Sequence, residues 1–484
     1  MKKVRTRFAP SPTGWLHIGG MRTALFAYLI AKKENGDFLL RIEDTDKERI
    51  VEGATDFIYK ALKIAKLQHD EGPDIGGNYG PYVQSERAET DIYTKYAHQL
   101  VESGHAFYCF CEKHEYKSNQ DDEDWDKAQK FIKQNDPCKD IPLDVAKKRI
   151  TSGEPYVIKQ IIPPGTTTFN DTVFGKITVD NKTLDEQVLI KSDGYPTYNF
   201  ANVIDDHLME ITHVVRGSEY LSSTPKYDLL YCALGWTPPV YVHVPQIMKD
   251  KTHKLSKRNG DASFQDLIAK GFLPEAILNY ITLLGWHPSD DREIFSIEDL
   301  KKEFSIDRIA KSDAIFDPEK LRWMNSVYIR NLSDSEFHKN ALPFYNKVIT
   351  KGLDLNEISK LLKERIETFA DIPEMIEFFE TLPEYDTDLY IHKKMKTTKE
   401  IAKEVLPLVK EKLKGLSDWN YENIKQIFMN IVSELNLKNG QVFYPARIAL
   451  SGKEFTPGGP VEIANILGKD ETLLRLENGI KKLN

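Results

Sequence analysis

Apolar positions in the first 95 residues switch between two periods. Val4 to Ala9 reads as a short apolar-rich strand, and Met21 to Lys33 as a helix whose Leu25, Phe26, Leu29 and Ile30 recur at helical spacing. Asp37 to Ile42 is the next strand and Ala54 to Ile64 the next helix. This alternation predicts a parallel sheet with ligands at the carboxyl edge of its strands. From Ala106 to about Gln187 the pattern is irregular, with an acidic stretch at Asn119-Gln120-Asp121-Asp122-Glu123-Asp124, and it reads as an insertion. Alternation resumes at Val188-Leu189-Ile190 and runs through Val214-Val215-Arg216 and the helix Tyr227 to Leu234.

After Gly285-Trp286 the pattern is almost wholly helical. Ile358, Leu361, Leu362, Ile366 and Phe369 share one face, as do Ile424, Ile427, Phe428, Ile431, Val432 and Leu435. Lys438 and Gly440 are expected to close that second helix. Pro373, Pro383, Pro407 and Pro457-Gly458-Gly459-Pro460 are expected to punctuate shorter helices. The chain shows no internal repeat.

At 484 residues the chain is too long for one core. No apolar run approaches the ~18 residues a membrane span needs. Lys2, Lys3, Arg5 and Arg7 lead into no apolar signal region, so a cytoplasmic protein without a membrane partner is expected. Four cysteines are too few for a disulfide scaffold and suggest reduced thiols or a metal site. The net charge of −8 argues against indiscriminate coating of nucleic acid. From Ser326 onward 23 basic and 24 acidic residues nearly cancel, which permits a specific RNA partner there.

Two short segments carry candidate chemistry. Arg7-Phe8-Ala9-Pro10-Ser11-Pro12-Thr13-Gly14-Trp15-Leu16-His17-Ile18-Gly19-Gly20 reads as a strand, a tight turn and a helix start. It aims an imidazole and bare backbone at a helix N-terminus, where phosphate is electrostatically welcome. Alone, His17 has a structural reading, and Gly19-Gly20 one as close helix–strand packing. Lys254-Leu255-Ser256-Lys257-Arg258 follows the apolar run Val240 to Met248 and precedes the turn pair Asn259-Gly260. It is either a solvated loop or a lysine clamp able to close on a triphosphate.

Together the two segments resemble the HIGH and KMSKS signatures of class I aminoacyl-tRNA synthetases. Arg41-Ile42-Glu43-Asp44-Thr45-Asp46, Leu189 to Tyr198, Asn202 to His207, Arg216-Gly217-Ser218-Glu219 and Leu321 to Asn325 narrow the resemblance to the glutamyl-tRNA synthetase family, over essentially the full chain. The fold it implies is α/β: a Rossmann-type parallel-sheet catalytic domain with an α+β insertion, then an all-helical anticodon-binding module. The expected divisions are 1–105, first catalytic half; 106–187, insertion binding the acceptor end; 188–240, second half; 241–325, KMSKS loop and stem contacts; and 326–484, anticodon module of two subdomains. The implied activity is ATP-dependent activation of L-glutamate and its transfer to the 3′ end of tRNA(Glu), by a monomer using Mg²⁺ with ATP.

By the same resemblance His17, Lys254 and Lys257 are catalytic. Ser11, His17, Gly19, Gly20, Glu219, Ile247, Lys254, Ser256 and Lys257 face ATP. Glu43 holds the substrate ammonium, Arg7, Tyr198, Asn202 and Arg216 surround its carboxylates, and Ala9 and Ser11 line the same side. A γ-carboxylate in a pocket needs a fixed guanidinium, and a neutral amide would leave Arg216 partly unpaired. Asp46 and Arg49 would face the tRNA acceptor end. Arg365 aligns with an anticodon-reading arginine or is a solvated helix charge. Asp205 and Asp206 read equally as turn or capping residues.

Cys109-Phe110-Cys111 is followed 27 residues later by Cys138-Lys139-Asp140. By the same resemblance, some bacterial members of the family carry zinc on such pairs, so Cys109, Cys111, Cys138 and Asp140 form a candidate tetrahedral site. His105 and His114 are rival fourth ligands, and three reduced structural cysteines are the alternative. The rival functions are a non-discriminating or glutaminyl-specific relative and an inactive RNA-binding paralogue.

Overall fold

A computed structural model describes residues 3–111, 136–255 and 263–484. The chain forms two units: Met1–Ile268 with Ile277–Asp317, and Ala269–Ala276 with Pro318–Asn484.

The first unit is built on a six-stranded sheet. Its strands are β1 (Arg5–Phe8), β2 (Asp37–Leu40), β5 (Thr166–Asp171), β6 (Gly175–Asp180), β8 (His213–Gly217) and β9 (Val240–Val244), in the order β2-β1-β8-β9-β5-β6. All neighbours are parallel except the β5–β6 hairpin at one edge. Central strands of such a sheet are covered on both faces, which is why Val214 and Val215 of β8 and Tyr241, Val242 and Val244 of β9 are buried. β1 carries buried charge: its Arg5 and Arg7 are neutralised by Asp37, Glu71 and Asp206. A second sheet of three antiparallel strands joins β3 (Ala106–Cys109), β4 (Val157–Gln160) and β7 (Val188–Ile190). Two-residue strands β10 (Ile247–Met248) and β11 (Ala314–Ile315) form a parallel pair.

Two expectations are corrected here. Val188–Ile190 does not resume the main sheet; it closes the small one beside β4. The stretch expected to be wholly insertion instead contributes β5 and β6 to the main sheet. The reason is alternation: in Thr166–Asp171 the buried positions are Thr167, Phe169 and Asp171, two of them polar, so the strand carries little apolar signal.

The second unit is helical. Ile358, Leu362, Ile366 and Phe369 are buried as expected, but the helix itself stops at Leu362. Tyr421–Glu434 ends before Lys438: Asn436 takes the left-handed conformation (φ 52°) that terminates helices, and Gly440 lies in the first turn of the next helix, Asn439–Ser451. Pro407 interrupts nothing and sits inside Lys399–Lys414. The fully buried Arg475 donates to the carbonyls of Phe378, Phe379 and Leu450, satisfying the ends of two helices at once. No helix among the described residues is long and apolar enough to cross a membrane.

Candidate active site

A cavity of about 360 Å³ opens at the carboxyl ends of β1, β8 and β9. Arg7 and Ala9, His17, Gly19 and Gly20, Tyr198, Arg216, Glu219, Ile247 and Lys254 all line it. It therefore gathers most of the residues singled out from the two motifs.

His17 is the N-cap of helix α1 (Ile18–Lys33): its Nδ1 accepts the Gly19 N–H at 3.0 Å. That bond makes Nε2 the donor of the neutral ring, the tautomer suited to developing negative charge. A Cβ on Gly19 would press on Nδ1 at 3.2 Å, and one on Gly20 would meet the end of the Leu16 side chain at 3.0 Å, so the glycine at 19 leaves room for this cap. The chain also ties the two motifs together. His17 bridges to Ser263, and Phe264 N–H donates to the Leu16 carbonyl at 3.0 Å. At the other end of the loop Lys254 bridges to Met248, and Leu255 N–H donates to the Ile247 carbonyl at 3.2 Å. Both ends of the Lys-rich loop are thus anchored beside the cavity, while Ser256 and Lys257 lie outside the described residues.

Arg216 is the central charge. It is 6% exposed, donates from Nε to His243 Nε2 and from Nη2 to Thr224 Oγ1 (both 3.1 Å), and lies 4.5 Å from the centre of the Tyr227 ring. Among the described residues no carboxylate pairs with it. A buried guanidinium without a counter-ion is costly, and it marks where an anionic ligand belongs.

The other glutamate candidates differ in placement. Arg7 lines the cavity, but its Nε and Nη2 already hold Asp206 at 3.0 and 3.2 Å. Asn202, Glu43 and Ser11 are not among the lining residues. Asn202 donates to the carbonyls of Tyr198 and Asn199, and Ser11 is exposed in the turn. Glu43 is buried: Oε1 accepts from Arg41 at 2.7 Å, and Oε2 has no hydrogen-bond partner among the described residues. Burial pushes its carboxyl up, against the pull of Arg41 and Arg7. Asp205 and Asp206 are not capping residues. They are buried inside Tyr198–Leu208 and pair with Arg7, Arg41 and Arg87. Burial pushes Asp206 up, but Arg7 and Arg41 outweigh it and hold the carboxyl below the usual range.

Four contributors were not singled out from the motifs. Arg41 stands two residues before Glu43 just beyond β2 and pairs with it, and that spacing was a usable signal. Arg22, one turn into α1, donates to the Leu284 and Pro245 carbonyls and fixes the segment leading into β10; burial lowers its pKa to about 10. Thr224 and His243 hold Arg216, and no local pattern points to either.

Asp46 and Arg49 lie exposed around the short turn Lys47–Arg49. In the helical unit Arg365 is exposed just beyond Leu355–Leu362. Phe455 is 80% exposed on the loop that ends at Gly458 and Gly459, where a Cβ on Gly458 would touch Leu361 at 3.0 Å.

The cysteine pairs converge, with one change of partner. Ligand atoms of Cys109, Cys111, Cys138 and Asp136 lie within 4.8 Å of one another. Cys109 Sγ donates to Asp136 Oδ2 at 3.0 Å, and the Cys111 and Cys138 sulfurs are 3.7 Å apart. Asp140 is not in the group: Asp136 caps the turn Pro137–Asp140 and faces the sulfurs, leaving Asp140 exposed at the turn's far end. His105 is exposed and outside the group, and His114 lies outside the described residues. Two thiolates on one tetrahedral zinc stand about 3.8 Å apart, so the donor set and spacing fit that ion. Lys159, 2.6 Å from Asp136, would offset the excess negative charge.

Residues 3–323 match the family of class I tRNA synthetases (E and Q), catalytic domain, and residues 336–480 an anticodon binding domain. A glutamate–tRNA ligase of Clostridium kluyveri is 58% identical over 486 residues, spanning 100% of this chain and 99% of that protein. Another of Clostridium tetani is 58% identical, spanning 99% and 98%. Among solved structures, a glutamate tRNA ligase from Elizabethkingia meningosepticum in complex with its amino acid superposes with TM-score 0.87 at 35% identity, covering 100% of both chains. A glutamate–tRNA synthetase from Elizabethkingia anophelis gives 0.85 at 36%, covering 99% of this chain and 100% of that one. The sheet order, the cavity and these matches agree that the chain belongs to the class I tRNA synthetases of the glutamate and glutamine group.

Proposed function

We infer that this protein activates L-glutamate with ATP and transfers it to the 3′ end of tRNA(Glu). The observation that carries the choice of amino acid is Arg216, a buried guanidinium in the cavity wall with which no carboxylate among the described residues pairs. In the first step a glutamate α-carboxylate oxygen bonds to the α-phosphorus of ATP and pyrophosphate leaves. In the second a terminal ribose hydroxyl bonds to the activated carbonyl, AMP leaves, and the hydroxyl proton is released.

The roles follow from chemistry. The side-chain carboxylate takes Arg216, and the ammonium takes the unpaired oxygen of Glu43. Arg7, Tyr198 and Asn202, with Ala9 and Ser11, position the amino acid. His17 donates from Nε2 to the nucleotide, whose ribose and base pass over Gly19 and Gly20 towards Glu219 and the Ile247 backbone. Lys254, Ser256 and Lys257 meet the phosphates, and Mg²⁺ accompanying ATP neutralises part of their charge. Asp46, Arg49 and the segment around the small sheet meet the acceptor end. Arg365 and Phe455, both exposed on the helical unit, offer a charge and a stacking face to anticodon bases.

Radiolabelled pyrophosphate should enter ATP when the protein is given glutamate and tRNA(Glu), and not when glutamine replaces glutamate. Equal exchange with both amino acids would contradict the assignment.

Cys109, Cys111, Cys138 and Asp136 are proposed to hold zinc, which would brace the small sheet as a structural ion. Protein purified without chelator is expected to contain close to one zinc per chain, and Cys109→Ser to lose it. Full activity and stability without metal would return the three thiols to a purely packing role.

A further inference from the structure

His243 is fully buried on β9 and makes a chain of contacts behind Arg216. Its Nδ1 lies 2.7 Å from Asp171 Oδ2, and its Nε2 accepts the Arg216 Nε–H at 3.1 Å. Asp171, the last residue of β5, is itself fixed. Oδ1 accepts the N–H groups of Val173 and Phe174 at 2.9 and 2.7 Å, and Oδ2 accepts the His243 N–H at 3.1 Å.

A guanidinium only donates, so the atom facing Arg216 Nε must be an unprotonated nitrogen. Asp171 only accepts, so it selects the ring form with hydrogen on Nδ1 and the lone pair on Nε2. Burial, helped by Arg216, lowers the His243 pKa despite Asp171, and keeps the ring neutral. Burial pushes Asp171 up, but hydrogen bonds from His243 and the Phe174 N–H outweigh it and hold the carboxyl below the usual range. With Nε on His243 and one Nη2 hydrogen on Thr224, the guanidinium cannot rotate. Among the described residues nothing takes Nη1 or the second Nη2 hydrogen, and these form a terminal fork, the geometry that takes a carboxylate in a bidentate manner.

We propose that Asp171 and His243 are positioning residues for amino-acid selection, holding Arg216 in the orientation in which its terminal fork meets the substrate γ-carboxylate. This rests on the reading that Arg216 takes that carboxylate. Neither residue touches substrate; both act through the tautomer and the lone pair offered to Arg216.

The test is Asp171→Asn in the full-length protein. An amide N–H towards Nδ1 shifts the ring hydrogen to Nε2, where it confronts the Arg216 Nε–H. KM for glutamate should rise ~10-fold or more and the glutamate-to-glutamine ratio of kcat/KM should fall, with KM for ATP within ~2-fold. His243→Gln, whose amide oxygen can accept from Arg216 without a tautomer, should keep more selectivity than His243→Leu and should partly rescue Asp171→Asn. An Asp171→Asn protein with unchanged glutamate KM and selectivity overturns the proposal. So does one whose use of glutamate and ATP falls equally. If Asp171→Asn does not fold, His243→Gln performing no better than His243→Leu overturns it. Arg216→Ala run alongside separates the levels. Lost selectivity there with intact selectivity in the relay variants sinks the relay alone, whereas intact selectivity in Arg216→Ala sinks the reading beneath it.

Discussion

Arg216→Ala is expected to lower kcat/KM for glutamate ~30-fold or more and to shrink the preference for glutamate over glutamine. The guanidinium is buried among Tyr220, Tyr227 and Tyr241 and has no acidic partner among the described residues. A γ-carboxylate entering the cavity gains a charge-assisted, bidentate contact, on the order of 2–5 kcal/mol on truncation. A glutamine amide gains less, because its NH₂ group meets a donor with a donor. The same desolvation has a second consequence. The free protein bears the cost of a buried cation without a counter-ion, so Arg216→Met should hold or raise the melting temperature while activity collapses. Equal loss of glutamate and glutamine activity would place Arg216 on the shared α-carboxylate.

Lys257→Ala is expected to slow adenylate formation by ~10² or more while leaving tRNA binding nearly unchanged. Lys257 lies outside the described residues, so the expectation rests on its place in Lys254-Leu255-Ser256-Lys257-Arg258 and on the anchoring of the loop's ends. Met248 pairs with Lys254 before it, and His17 pairs with Ser263 after it. In the proposed role the lysines of this loop meet the phosphates of the bound nucleotide and oppose the charge that builds on the departing pyrophosphate. Single-turnover adenylate formation measures the step directly, and a near-normal rate would remove the loop from the chemistry.

How much of this was legible beforehand depended on the range over which each signal acts. The strand, turn and helix from Arg5 to Lys33 could be read because periodicity, a capping histidine and glycines fall within about 30 residues. Val188–Ile190 could not be placed, since three apolar residues do not say which sheet they will join. Thr166–Asp171 was missed because its inward positions are mostly polar, and Asp171 is buried to hold His243 rather than to fill a core. His243 itself is one polar residue in the run Val240–Val244, a position that reads as an interruption until Arg216 is seen opposite. The metal candidate shows the same limit on a smaller scale. C-x-C and C-x-D spacing picked out the three thiols that converge, but the Asp-Pro turn brought Asp136 to them and left Asp140 outside. Asp205 and Asp206 read equally as turn or capping residues because their partners are remote: Arg87 lies 118 positions from Asp205, and Arg7 and Arg41 lie 199 and 165 from Asp206.

The most direct measurement is aminoacylation with purified tRNA(Glu) and tRNA(Gln), each offered labelled glutamate and labelled glutamine with ATP. Ester-linked glutamate on tRNA(Glu), with no glutamine on either RNA, is the predicted result; glutamine on tRNA(Gln), or no ester on tRNA(Glu) at all, would contradict it.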